Sequence, residues 1–151
     1  MNKDLPLIVK DCDQIMNWSK ENFIEFITRR ENEGVLVTVP TINPGFSFVE
    51  LKDDMSNVVR TKEKEVVSSF GNTGCYFFKK TSDFELYSNK MINKNIRINN
   101  EFYVSQVYNE YILDNKKVLH YPIVEIFSIN TPEELIENKK KISLFLKSKL
   151  S

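Results

Sequence analysis

The chain has little glycine, one histidine and no long apolar run. Its 151 residues contain four glycines and two cysteines, Cys12 and Cys75. No apolar stretch approaches the roughly 20 residues that span a bilayer, so we expect no membrane insertion. One histidine and two distant cysteines argue against a zinc site. The 21 basic residues balance the 21 acidic ones, which excludes broad electrostatic attraction to nucleic acid.

The two cysteines also bear on the cellular compartment. Both lie in apolar stretches, and the apolar run near the N-terminus is too short for a signal peptide. We therefore expect Cys12 and Cys75 to be reduced, buried thiols of a cytoplasmic protein.

Apolar periodicity predicts an α/β fold in a single domain that covers residues 1–151. The run at 5–10 is continuously apolar, which predicts a buried strand, and apolar residues recur at helical spacing over 15–30. Six strands alternate with four helices. The remaining predicted strands cover 35–39, 46–51, 58–62, 75–78 and 118–124, and the remaining helices cover 82–93, 104–112 and the segment from Thr131 onward.

Asp11-Cys12-Asp13-Gln14 is the most informative stretch, because it places two carboxylates directly after the first predicted strand. In open α/β sheets, ligands bind at the carboxyl ends of strands. Two carboxylates one residue apart suit Mg²⁺, which completes its octahedron with phosphates and water. The alternative is that Asp13 only caps the helix that follows.

Six further segments resemble, in order, motifs of the sugar nucleotidyltransferases of polysaccharide biosynthesis, and more narrowly the branch associated with capsules. The resemblance runs from Pro6 to about Leu135. The matching segments are Pro6–Gln14, Phe46–Val49, Val58–Lys64 ending in Glu63-Lys64, Thr73–Phe78, Asn100–Ser105 and Asn130–Leu135.

The resemblance implies a three-layer, GT-A-like, Rossmann-type sheet, mostly parallel with an inserted β-hairpin. Two features of the family are missing. No glycine-rich loop for a nucleoside triphosphate is present, and Ser128 stands where many members place a second metal-binding aspartate. The chain therefore resembles the C-terminal part of such an enzyme, lacking the N-terminal nucleotide-binding strand and helix. Its expected partner is a complementary N-terminal half or another copy of the chain.

The implied reaction joins a sugar 1-phosphate, or a similar phosphorylated acceptor, to a nucleoside triphosphate and releases pyrophosphate. The implied setting is surface polysaccharide biosynthesis. By the resemblance, Asp13 and Asp11 would hold Mg²⁺, Lys64 would neutralise the acceptor phosphate, and Glu63 would bind its hydroxyls. Gly74 would let the backbone approach the acceptor, and Glu101 would contribute to the same cleft.

Each of these residues also has a purely structural interpretation. Glu63 and Lys64 belong to an alternating charge run that is typical of a solvated surface. Gly74 would serve as a bulge glycine, and Glu101 as favourable charge at a helix start. His120 lies between Leu119 and Tyr121 on a predicted strand, which favours a packed histidine over a general base.

Two other functions stay open at the level of sequence. A GT-A glycosyltransferase would use Asp11-Cys12-Asp13 to bind a metal-bound sugar nucleotide, since Asp-x-Asp is its metal motif. A non-catalytic binding or assembly module would keep the fold without the triphosphate pocket.

Overall fold

The β-branched run after Gly34 forms the central strand of the molecule. In this computed structural model, which describes residues 4–52 and 55–150, β3 (Gly34–Pro40) pairs with β6 (Phe70–Phe78) on one side and β7 (Val118–Pro122) on the other. Leu36 is fully buried on one face of the sheet, and its neighbours are buried on the other.

The other edge of β6 carries two strands, one after the other. β1 (Leu7–Lys10) pairs with the end of β6, β4 (Ser47–Leu51) meets β6 at Gly71, and β5 (Val58–Glu63) forms a hairpin with β4. β1, β3, β4 and β7 run in one direction, which agrees with a mostly parallel sheet. Among the described strands, only β3 and β7 are parallel neighbours, because β6 runs antiparallel beside β1, β3 and β4.

Helices cover both faces of this sheet, as the predicted three-layer α/β class requires. α2 (Thr81–Asn93) and α3 (Val104–Leu113) pack on the face of Leu36. α1 (Lys20–Arg29) packs on the opposite face, beside a two-stranded sheet of β2 (Gln14–Asn17) and β8 (Glu125–Ser128). α4 (Pro132–Leu150) follows β8. No helix among the described residues is both long and apolar enough to cross a membrane.

The start of the first helix differs from the prediction. Helical spacing placed it at Ile15, but residues 14–17 form β2 and α1 begins at Lys20. Ser19 is its N-cap, and its hydroxyl accepts a hydrogen bond from the Asn22 N–H at 3.1 Å. Pairing with β8, which is distant in sequence, overrides the local helical period. Asp13 is therefore not a helix cap.

The first strand is also less buried than its composition suggested. β1 lies at an edge of the sheet, so its residues alternate between half-buried and exposed. Asp11, rather than Asp13, directly follows it, and the Asp11 N–H donates to the Gly74 carbonyl at 3.0 Å. Cys12 is exposed because this turn leaves the sheet, which corrects the expectation that both thiols are buried. Cys75 is buried, and burial raises its thiol pKa to about 11.

The single histidine is a packed residue, as predicted. His120 is 6 % exposed. Its Nε2–H donates to the Met55 carbonyl at 2.9 Å, which leaves Nδ1 to accept from the Thr38 hydroxyl at 3.1 Å. Burial lowers the pKa of the imidazole. These contacts stabilise the neutral ring and hold the turn between β4 and β5 against β7.

Leu36→Ala is predicted to lower the free energy of unfolding by about 2–5 kcal/mol, because it removes a fully buried side chain between β3 and α3. The matched control is Ile42→Ala, which truncates a side chain that is 77 % exposed and should change stability by less than about 0.5 kcal/mol. Urea unfolding measures both. Equal losses in the two variants would contradict the assigned core.

Candidate functional site

A cavity of about 580 Å³ opens at the edge of β6 where β1 ends and β4 begins to pair. Val37 and Thr38 of β3 pair with Cys75 and Asn72, so the two residues between them bulge out of the ladder. The cavity is lined mainly by polar side chains: Asp11, Gln14, Asn43, Gly45, Phe46, Ser47, Glu63, Asn72, Gly74, Tyr76, Tyr103, Ile126, Ser128, Asn130, Glu134 and Asn138.

Asp11 and Gly74 are in direct contact on one wall of this cavity. Gly74 has a φ of +66°, in the left-handed region. A Cβ on Gly74 would lie 2.4 Å from the carboxyl carbon of Asp11. The glycine is therefore required for two reasons, its backbone conformation and the space taken by the Asp11 carboxylate. Close approach of an acceptor to Gly74 stays a prediction.

Asp13 lies at the start of β2, outside the residues that line the cavity. Its Oδ1 is buried and has no hydrogen-bond partner among the described residues. Burial raises the pKa of Asp11, and the negative charge of Asp13 raises it further. Two close carboxylates, one with an unsatisfied buried oxygen, form an arrangement that a cation would stabilise.

Glu63 is half-buried at the end of β5, as is Lys62, while Lys64 and Glu65 of the same charge run are exposed. Its Oε2 accepts a hydrogen bond from the Ser105 hydroxyl at 2.9 Å. Burial raises the pKa of Glu63, and the charge of Asp11 contributes to this rise, so the two carboxylates share one environment. Glu63 is thus not part of a solvated surface, unlike the exposed ion pair between Lys62 and Glu65.

Lys64 stands beside the cavity and does not line it. Its φ is +56°, in the left-handed region, and its side chain is exposed. Nζ donates to the Tyr103 hydroxyl at 2.9 Å, and that hydroxyl donates to Oε2 of Glu101. The hydrogen bond to Tyr103 is the main reason that the pKa of Lys64 is raised.

Glu101 is placed differently from the prediction. It does not open a helix: it forms an isolated bridge with Ile98, and α3 begins three residues later at Val104. The segment from 98 to 101 turns back on itself through reciprocal backbone hydrogen bonds. Glu101 reaches the site only through Tyr103, whose ring lines the cavity.

Asn72 is a site residue that the sequence reasoning missed. It is 5 % exposed and lines the cavity. Its Oδ1 accepts the Gly74 N–H at 3.1 Å, so its Nδ2 is the free end of the amide, and this donor has no partner among the described residues. Asparagine two residues before a left-handed glycine is the signal that indicates such a turn.

The opposite wall comes from β2, β8 and the start of α4. Ser128, at the expected position of a second metal ligand, donates its hydroxyl hydrogen to Oε2 of Glu134 at 2.9 Å. The same carboxylate accepts the backbone N–H groups of Asn130 and Thr131. The Thr131 hydroxyl accepts the Glu134 N–H, which completes a capping box at the start of α4. Glu134 therefore brings a carboxylate where the serine lacks one.

The structure thus brings three of the six predicted residues into one cavity. Asp11, Glu63 and Gly74 line it. Asp13 and Lys64 are close enough to affect the pKa values of Asp11 and Glu63, and Glu101 acts on Lys64. Within residues 4–52 and 55–150, no group of three or more histidine, cysteine or acidic side chains is arranged to hold a metal. Mg²⁺ often takes one or two carboxylates together with substrate phosphates, so a magnesium site at Asp11 and Asp13 stays a prediction.

Solved structures with the same fold are nucleotide-sugar pyrophosphorylases and a thymidylyltransferase. The nucleoside-diphosphate-sugar pyrophosphorylase from Vibrio cholerae RC9 is 20 % identical, with a TM-score of 0.76 over 87 % of this chain. A putative glucose-1-phosphate thymidylyltransferase from Bacillus anthracis, in complex with a sucrose, is 15 % identical, with a TM-score of 0.69 over 91 %. An apo UDP-glucose pyrophosphorylase is 13 % identical, with a TM-score of 0.70 over 93 %.

These likenesses show the fold. The chain spans 55 % of the length of each of the three structures, so it corresponds to part of that architecture. This agrees with the predicted Rossmann-type fold that is shorter than that of complete nucleotidyltransferases. No protein-family model matches the sequence, and no curated protein matches it.

Gly74→Ala is predicted to destabilise the protein by more than about 2 kcal/mol, because a left-handed alanine alone costs about 1–2 kcal/mol and its Cβ also meets Asp11. Adding Asp11→Gly should remove the clash. The double variant should then lose only the free energy that the left-handed backbone of alanine costs. Chemical denaturation of the two variants measures the difference. If the double variant recovers nothing, the Asp11–Gly74 contact is not what requires glycine.

Glu63→Gln is predicted to raise the free energy of unfolding at pH 7. Because the pKa of Glu63 is higher in the folded than in the unfolded protein, its ionisation opposes folding above that pKa, and the penalty disappears as pH falls below the unfolded value near 4. Glutamine keeps an oxygen that accepts from Ser105. The gain should therefore be present at pH 7 and absent at pH 3.5.

The control for this test is Glu50→Gln, since Glu50 lies on the neighbouring strand and pairs with Arg60 at the surface. It should give no gain at pH 7. A Glu63→Gln gain that is the same at both pH values would show that the ionisation of Glu63 is not its cause.

Proposed function

We propose that this chain forms the acceptor-binding part of a sugar-phosphate nucleotidyltransferase, with a role in surface polysaccharide biosynthesis. The observation that carries the proposal is the joint placement of Asp11 and Glu63 in one cavity beside Lys64, within a fold shared with three nucleotide-sugar pyrophosphorylases or thymidylyltransferases. The proposed acceptor is a sugar 1-phosphate or a similar phosphorylated small molecule.

In the proposed reaction, an acceptor phosphate oxygen attacks the α-phosphorus of a nucleoside triphosphate. A new P–O bond forms, the bond from the α-phosphorus to the bridging oxygen breaks, and pyrophosphate leaves with its electrons. The protein contributes positioning and charge rather than covalent chemistry. Lys64 neutralises the acceptor phosphate, Glu63 accepts hydrogen bonds from acceptor hydroxyls, and Tyr103 with Glu101 orients the lysine ammonium.

We propose Mg²⁺ as the cofactor, held by Asp13 and Asp11. The support is the buried, unpartnered Oδ1 of Asp13 beside a second carboxylate whose pKa its charge raises. When bound, the ion would supply positive charge to the phosphates of the substrate. A nucleoside triphosphate is the second proposed substrate, and another polypeptide or a second copy of this chain is the proposed partner that helps to hold it.

Lys64→Ala is predicted to weaken binding of glucose 1-phosphate by about tenfold while leaving binding of free glucose unchanged, because the lysine acts only on the phosphate. Lys79→Ala, which removes an exposed lysine beyond the far end of β6, is the matched control and should bind both ligands as the native protein does. Isothermal calorimetry measures the affinities. Equal losses for sugar and sugar phosphate would contradict the assigned role.

The 151-residue polypeptide alone is predicted to release pyrophosphate far more slowly than about 1 s⁻¹, the low end of ordinary enzymes. Its four glycines include no glycine-rich triphosphate loop, and loss of one stabilising donor already costs on the order of 10²–10³ in rate. The assay combines nucleoside triphosphates, sugar 1-phosphates and Mg²⁺. Turnover near 1 s⁻¹ that disappears in Asp13→Asn would contradict this prediction.

Two further measurements separate the proposal from its alternatives. Release of free nucleoside diphosphate from a sugar nucleotide would indicate a GT-A glycosyltransferase. Calorimetry that detects no sugar phosphate and no nucleotide would indicate a non-catalytic module.

A further inference from the structure

The cavity is acidic and has no basic side chain in its wall. Among the described residues that line it, Asp11, Glu63 and Glu134 are acidic, and no lysine, arginine or histidine is present. Lys10 and Lys64 lie next to the cavity without lining it. Lys10 Nζ donates to the backbone carbonyls of Asp11 and Gln14, and Lys64 Nζ donates to Tyr103. A phosphate would find a positive charge at Lys64 on the rim, whereas a second negative group between the carboxylates of the wall would be repelled.

The described part of the wall also contains buried polar atoms that have no hydrogen-bond partner. Asn72 is 5 % exposed, and its Nδ2 donor has no partner among the described residues although its Oδ1 is held by Gly74. On the opposite wall, Oε1 of Gln14 is a buried acceptor, likewise without a partner in the described part of the chain. Unmade hydrogen bonds of this kind cost free energy unless a ligand or water supplies the partner. The cavity therefore suits a ligand that both accepts and donates hydrogen bonds.

One aromatic side chain of the wall already binds a cation at its rim. The Tyr103 ring centroid lies 5.2 Å from Lys64 Nζ. Phe46 and Tyr76 line the same cavity. Aromatic rings attract cations and give no such attraction to anions. Carboxylates and aromatic rings together are a combination that recognises an ammonium group.

We propose that the acceptor carries a protonated amino group on its sugar or polyol part, and that Glu63 and Glu134 in the cavity wall select it over uncharged and carboxylated acceptors. The inference rests on the proposed function, since it assigns the acceptor of that same site. In this arrangement, Lys64 at the rim pairs with the phosphate, and Glu63 and Glu134 contact the ammonium. The Asn72 side-chain amide donates a hydrogen bond to an oxygen of the sugar or polyol. An ammonium would offset the negative charge of Glu63 and Glu134, whereas a carboxylate would add to it.

The test compares four matched probes in metal-free buffer at pH 7 by isothermal calorimetry. They are glucosamine 1-phosphate, N-acetylglucosamine 1-phosphate, glucose 1-phosphate and glucuronic acid 1-phosphate. The amine should bind at least about tenfold more tightly than glucose 1-phosphate, because one charge pair near a protein surface supplies that much. N-acetylation should remove the advantage, and the uronic acid should bind most weakly.

Two variants test which side chains cause this ranking of affinities. Glu63→Gln should shrink the ratio of amine to glucose affinities severalfold, because it removes one negative charge and keeps the shape of the side chain. Glu50→Gln, outside the cavity and paired with Arg60, should leave the ratio at its native value.

Three other results overturn the inference. If all four probes bind equally, or the uronic acid binds as tightly as the amine, the selectivity is wrong while the proposed function stands. If Glu63→Gln and Glu50→Gln change the ratio equally, the carboxylates of the cavity are not its cause. If no probe binds, both the inference and the proposed function fail.

Discussion

The contact between Asp11 and Gly74 is the constraint on which the site depends. Gly74 sits in a bulge of β6, with a left-handed backbone that leaves room for the Asp11 carboxylate. The bulge falls between the two strands that share this edge of β6, so it opens the sheet where β1 stops and β4 starts. It also turns the amide of Asn72 inward, since the Gly74 N–H fixes one end of that side chain. One glycine thus shapes the wall, places a carboxylate and orients a donor.

Charge around the cavity is separated in space. The carboxylates lie in the wall, where burial raises the pKa values of Asp11 and Glu63, and the ammonium of Lys64 lies at the rim, held by Tyr103. A ligand with a phosphate at one end and a protonated amine at the other would match this arrangement. Burial of these carboxylates lowers the free energy of unfolding. The packed core on both faces of β3 compensates for this loss. Sites of this kind are where proteins accept such penalties.

The sequence predicted the α/β class, both hairpin strands and the last three helices, because their apolar periods agree with their tertiary contacts. It failed at residues 14–17, whose helical spacing is overridden by pairing with β8, a partner more than 100 residues away that no local pattern reveals. The motif residues Asp11, Glu63 and Gly74 were found from their resemblance to a family. Asn72 and Glu134 were not, since an asparagine turn and a capping glutamate usually have structural roles only.

The measurement that tests the central claim most directly is an amide NMR titration of the isotope-labelled protein with glucosamine 1-phosphate. We expect the largest shifts at the backbone amides of Asp11 and Gly74 and at the side-chain amide of Asn72, whose free donor would gain a partner. The amides on the outer face of α4, around Lys140 and Lys147, serve as an internal reference and should not move. Shifts confined to the amides around Lys140 and Lys147, with none around Gly74, would contradict a ligand site in the cavity.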